Sequence, residues 1–144
     1  DQYREFAFPA VRRVINALRP LDVPLIYFPN QGSTLLGTVA ECSADVVGID
    51  WRLPLDTAWR RIGYGRAIQG NLDPLALLAG TEVALAKTRE VLARAGGRPG
   101  HVFNLGHGLH PDTDHRVVAA VVEAVHSFDL EEARGRQDRS QAHA

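Results

Sequence analysis

The chain has 144 residues, 45% of them apolar and 23% charged, with 16 Lys and Arg against 17 Asp and Glu. That composition describes one globular domain with its own core and excludes a disordered chain, and the near-neutral balance supplies no overall field toward nucleic acid or an anionic membrane, so neither partner is expected. Lone Cys42 can form no internal disulfide and no multi-thiolate metal site, which fits a reducing compartment; no apolar run approaches the roughly 20 residues that span a bilayer, and the charged start Asp1-Gln2-Tyr3-Arg4 does not read as a signal peptide.

From Phe8 to Leu18 the apolar residues Val11, Val14, Ile15 and Leu18 repeat at helical spacing, with Pro9 in the first turn, and predict a helix with one buried stripe. The run Val23 to Phe28 is short, continuously apolar and stopped by Pro29-Asn30-Gln31-Gly32, as expected of a strand buried on both faces. A helix over Thr34 to Cys42 follows, then a second buried strand over Asp45 to Trp51 and a short helix over Asp56 to Ile62. Ala67 to Gln69 reads as a third strand, and Asp73-Pro74 has the form of a cap followed by proline at the first helical position. A longer helix over Thr81 to Ala95 places Ala84, Thr88, Val91, Leu92 and Ala95 on one side, and Gly96-Gly97 stops it. The stretch His101 to Leu105 is the fourth strand; Thr113 or Asp114 caps a last helix carrying Val118, Val121, Val122 and Val125. We expect one unit over residues 1–128 and a polar, frayed tail over 129–144.

Strand and helix thus alternate four times, and the strands are apolar throughout rather than half polar. The fold class expected is α/β, a parallel sheet with right-handed helical crossovers that either stays open with helices on both faces or curls toward a barrel. A whole (β/α)8 barrel takes about 250 residues, so four units beginning on a helix match its later, C-terminal half. The chain contains no methionine, and we expect a fragment of a longer protein.

Ligands of parallel α/β folds meet the carboxyl ends of the strands, where loops and helix N-termini face one shared space. That rule selects Phe28, Asn30 and Gln31; Asp50, Trp51 and Arg52; Gln69 and Asn71; and Asn104, His107 and His110. His107 leads, because an imidazole between Gly106 and Gly108 has backbone freedom and little crowding; a loop histidine bonded to its own surroundings is the structural alternative. Asp50 could orient a base or bind a cation, or it could cap the next helix or pair with Arg52 or Arg66. Gln69 and Asn71 could read polar ligand atoms or satisfy backbone, and Arg52 could meet a carboxylate or form a solvated ion pair. Asp73 is most economically a cap, and Cys42 a small buried hydrophobe. The cluster His107, His110, Asp112, Asp114 and His115 matches neither a helix-borne zinc pair nor a calcium loop, and Gly106-His107-Gly108 is only half of a dinucleotide fingerprint.

The segments YREFAFPAVRRVINAL, ADVVGIDWRLPLDTA, AIQGNLDPLALLA and GHVFNLGHGLHPDT followed by VVAAVVEAVH resemble the later half of the uroporphyrinogen decarboxylase family, in order and with family-like spacing, from about Tyr3 to His126. The resemblance implies a (β/α)8 barrel, a cytoplasmic homodimer, no metal and no organic cofactor. It also implies loss of carbon dioxide from the four acetate side chains of uroporphyrinogen, giving coproporphyrinogen for haem and other tetrapyrroles. His107 matches the family histidine that contacts a substrate carboxylate and is assigned to substrate binding; Asp50, Gln69 and Asn71 match positions that shape the site. No residue of this chain matches the family's catalytic aspartate or its arginine-bearing segment, so the fragment alone is expected to be inactive. The stretch YFPNQGSTLL departs from the family pattern, which has a lysine or smaller residues before the glycine, and gives Asn30 and Gln31 no assigned role. Two other readings compete: a corrinoid-linked methyltransferase of the same superfamily, whose zinc is held by a histidine and cysteines, and a non-enzymatic half-barrel module. With one cysteine the chain lacks the ligand set of the former.

Overall fold

A computed structural model of the chain describes residues 2–130 and Ala133. Of the tail expected over residues 129–144 only Asp129, Leu130 and Ala133 are among them, so that expectation falls outside the described residues. A π-helical turn, Tyr3–Ala7, leads into α1 (Phe8–Leu18). There follow β1 (Ile26–Tyr27), α2 (Leu36–Val39), β2 (Val46–Gly48), α3 (Leu55–Ile62), β3 (Ala67–Gln69), α4 (Leu75–Leu78), α5 (Thr81–Ala95), β4 (His101–Val102) and α6 (His115–His126). The four strands are parallel and lie in the order β1-β2-β3-β4. When every right-handed crossover leads to the next neighbour, all helices come down on the same face of the sheet. That is how a barrel is wound, whereas a doubly wound sheet reverses its order.

The register sorts the strand residues onto two faces. Tyr27, Val47, Ile68 and His101 are aligned across the sheet on the helix side. There Val47 and Ile68 pack against Leu36, Val39, Leu55, Trp59 and Val91 in the main core. Each such aliphatic side chain withdrawn from water stabilises by about 1.5–3 kcal/mol. A second cluster, with Leu72, Leu77, Ala84, Val117 and Val121, joins α4, α5 and α6 beneath the last strand end. The opposite face carries the row Gly48, Gln69 and Val102, with Phe28 lying over Gly48, where an added Cβ would come within 3.0 Å of the Phe28 side chain.

That face corrects the expectation for the first strand. Ile26 is 50% and Phe28 40% exposed, and Val23 is exposed too, because only the helix side of β1 is covered by described residues. The strand ladders are also shorter than the apolar runs, since hydrophobicity extends past the residues whose backbone groups pair. In α1 the buried stripe is Phe8 and Ile15, with Val14 and Leu18 exposed. In α6 Val117 and Val121 are buried while Val122 is exposed. The helix expected over Thr34 to Cys42 is a 3-10 turn, Gly32–Thr34, followed by the single turn of α2. By contrast α5 begins, ends and buries Ala84, Thr88, Val91, Leu92 and Ala95 as its periodicity predicts, and Gly96 closes it in the left-handed region.

The N-terminal ends of the strands are tied by polar locks. Asp45 accepts from the Leu25 backbone N–H at 2.8 Å and from the Arg19 guanidinium at 2.9 Å, contacts that hold its carboxyl below the usual range. Arg66 donates to the carbonyls of Cys42 and Ala44, and its own carbonyl accepts from the buried Trp59 indole at 2.8 Å. Cys42 is buried beside Phe8, Ile15 and Ala44, as a small hydrophobe.

Candidate functional site

At the opposite, C-terminal ends the strands open into a cavity of about 380 Å³ lined by Phe28, Ile49, Gln69, Asn104, Leu105, His107 and Gly108. All four strand ends therefore contribute to one space, and it lies where the fold rule places a ligand. The loop after β4 reaches the cavity by extending the ladder: Leu72 bridges Leu105, and the Gly106 N–H donates to the Leu72 carbonyl at 2.7 Å. This draws Gly106 against the turn after β2. A Cβ on Gly106 would stand 2.4 Å from the Trp51 backbone nitrogen and 3.0 Å from the Asp50 carbonyl carbon. Around Gly108 nothing would lie within 4 Å of a Cβ, so close approach requires the first glycine and not the second.

His107 is exposed at the cavity mouth. Its Nε2 lies 3.4 Å from the Asn30 side-chain nitrogen, and its ring meets Trp51 edge to face, with centroids 6.1 Å apart and planes at 90°. A neutral imidazole that accepts from Asn30 at Nε2 carries its proton at Nδ1, leaving an N–H donor for an anionic ligand.

Asp50, two residues beyond β2, is buried. Its Oδ1 accepts from the Arg52 backbone N–H at 2.9 Å and from Ser33 Oγ at 3.2 Å, and the Arg52 guanidinium stands 3.6 Å from Oδ2. Of the two arginines weighed as its partner, Arg52 is the one it meets, while Arg66 serves the strand bases. Asn71 is buried and donates to the carbonyls of Asp50, at 2.9 Å, and Leu53, at 2.7 Å, so it satisfies backbone. Arg52 and Asn71 line a second cavity of about 280 Å³, with Asp73, Lys87 and Arg94. Asp73 caps the Leu75 N–H at 2.9 Å.

The structure thus brings Phe28, Gln69, Asn104 and His107 together, with Asn30 and Trp51 against the imidazole. His110 instead accepts from the Asp112 backbone N–H within its own loop at 3.3 Å. Asp114 caps α6, and the Arg116 side chain and backbone N–H pull its carboxyl down to about 2. Among the described residues no three His, Cys, Asp or Glu side chains are grouped to hold a metal, and no helix is long and apolar enough to cross a membrane. The residue-type rule misses Ser33, Ile49 and Leu105. For Ile49 and Leu105 a usable signal exists, since apolar residues at a strand's end can line a cavity as well as a core.

A singly wound parallel sheet whose strand ends gather around a ligand-sized cavity defines the chain as part of a (β/α)8 barrel. The chain belongs to the uroporphyrinogen decarboxylase family, whose model matches residues 1–128. It is 48% identical over 139 residues to uroporphyrinogen decarboxylase of Sorangium cellulosum, covering 96% of this chain and 40% of that protein. It is 53% identical over 125 residues to the Streptomyces coelicolor enzyme of the same name (87% of this chain, 35% of that protein). With the Carboxydothermus hydrogenoformans enzyme the identity is 44% over 128 residues, 89% of this chain and 37% of that protein. The chain therefore spans between 35% and 40% of the length of these curated relatives.

Proposed function

We propose that this chain is the substrate-carboxylate-binding part of a uroporphyrinogen decarboxylase, which removes carbon dioxide from four acetate side chains of the tetrapyrrole to give coproporphyrinogen. The observation that carries the reading is the exposed His107 imidazole opening on the strand-end cavity, in a chain that matches the family over residues 1–128. Loss of carbon dioxide leaves an electron pair on carbon. A pyrrole protonated at ring carbon can accept that pair, so the whole site must favour positive charge on a pyrrole while seating many carboxylates. His107 serves the seating: its N–H donates to a carboxylate oxygen, and Gln69 and Asn104 offer further polar contacts along the same wall. The aspartate facing the pyrrole N–H groups and the arginines belong to the rest of the protein, and the whole works as a cytoplasmic homodimer.

The test uses the full-length protein that carries this chain. His107→Ala is expected to raise KM for uroporphyrinogen about 10- to 100-fold, the worth of one hydrogen bond to a charged group, with a smaller effect on kcat. An unchanged KM would take His107 out of substrate binding, and no coproporphyrinogen from the unmutated protein would overturn the reaction assignment. The 144-residue chain alone is expected to release no carbon dioxide. Sedimentation and cell fractionation of the full-length protein check the dimer and the compartment.

A further inference from the structure

Residue 51 touches the His107 loop twice. Its backbone nitrogen is the atom against which Gly106 packs, and its indole meets the imidazole edge to face at 6.1 Å. The indole is in turn held from another side, since the Arg52 guanidinium carbon lies 4.1 Å from its ring centroid. Arg52 is anchored on a buried carboxylate: its backbone N–H donates to Asp50 Oδ1 at 2.9 Å, and its guanidinium stands 3.6 Å from Asp50 Oδ2. That second oxygen has no hydrogen-bond partner among the described residues, so the guanidinium is the charge that compensates it. Ser33, donating to Oδ1 at 3.2 Å, fixes the carboxylate from the turn after β1.

We propose that Trp51 is a positioning residue for His107, holding the imidazole at the cavity mouth, and that Arg52 on its Asp50 anchor holds Trp51. This rests on the reading of His107 as the group that binds a substrate carboxylate. An exposed imidazole samples several rotamers, and time spent in unproductive ones lowers apparent affinity in proportion. A T-shaped ring contact removes part of that freedom and, unlike a hydrogen bond, does not require the ring N–H as its donor. A carboxylate in the same place would hold the ring by competing for that donor. Arg52, turned over the indole and toward the second cavity, leaves its charge out of the space at His107.

The experiment compares variants of the full-length protein with uroporphyrinogen as the probe. Trp51→Leu is expected to raise KM about five- to tenfold and leave kcat within about twofold, while Trp51→Phe, which keeps a ring, stays within about twofold of the parent in KM. In a His107→Ala background Trp51→Leu should raise KM no further, because its effect passes through the imidazole; an additive loss overturns the inference. A second readout needs no turnover. The carbon-bound protons of the His107 ring, assigned by their loss in His107→Ala, should be displaced by the indole ring current and return toward the free-histidine position in Trp51→Leu. Should Trp51→Leu fail to fold, Arg52→Gln carries the same test: it must move those resonances and raise KM, and unmoved resonances overturn the inference. If His107→Ala itself leaves KM unchanged, the binding reading is what has failed, and the ring-current readout alone then decides whether Trp51 fixes the imidazole.

Discussion

The two ends of the strands solve opposite problems with similar residue types. At the N-terminal ends charged and aromatic side chains are spent on the backbone: Arg66 on the carbonyls of Cys42 and Ala44, Trp59 on the carbonyl of Arg66, Asp45 on the N–H of Leu25. At the C-terminal ends an arginine meets a tryptophan and the tryptophan meets a histidine, and the imidazole is left exposed. A tryptophan is therefore no index of function. What separates Trp59 from Trp51 is what its ring is packed to do, the one sealing the core and the other standing beside an open cavity.

That contrast can be broken at its strongest point first. Trp59→Ala should cost about 3–5 kcal/mol in urea unfolding, the range for removing a large buried aromatic, and a loss under 1 kcal/mol would dissolve the distinction between the two ends. Arg66→Ala comes next, at about 1–3 kcal/mol, because it strips partners from the carbonyls that the guanidinium serves. At the upper end Gly106→Ala should cost about 1–3 kcal/mol by pushing the His107 loop off the Trp51 backbone, and thermal unfolding of the variant checks this.

A smaller effect comes from acid. His101 sits on the helix side of the sheet, its Nε2 within 2.7 Å of the Gly70 carbonyl, and burial lowers its pKa. Below the ordinary value of 6.5 the unfolded chain takes up a proton that the folded chain resists, so stability present above 6.5 is lost as pH falls through the depressed pKa. His101→Gln should flatten that part of the pH profile in denaturant titrations. Smallest of all, Gly108→Ala should shift stability by no more than about 0.5 kcal/mol, since the added methyl meets open space.

How far the sequence could be read follows from the same contrast. Periodicity names the buried stripe of α5, whose residues pack against neighbours in this chain, and Gly96 marks its end. It overstates the burial of Val14, Val23, Ile26 and Val122, since an apolar residue records a tendency to be covered and not what covers it. The strand-end rule puts His107 at the strand-end cavity, where the structure also has it, and the close approach at Gly106 is half visible in the pattern of glycines. The contacts of His107 with Trp51 and Asn30 are not legible, because they depend on how closely separate loops approach, and that distance is set by Gly106 lying on a backbone far away in sequence.

The strand order has a consequence for how such a molecule comes into being. Within the described sheet each strand pairs only with the one made just before or after it, so among these four strands no pairing waits for a distant part of the chain. During synthesis the sheet can lengthen one strand at a time, closing only short loops at each step, and the ribosome delivers the parts in the order in which they assemble. Until the barrel closes, the last strand added bears a raw edge, so a pause in translation before closure leaves a particle that is sticky on that side until the next unit emerges.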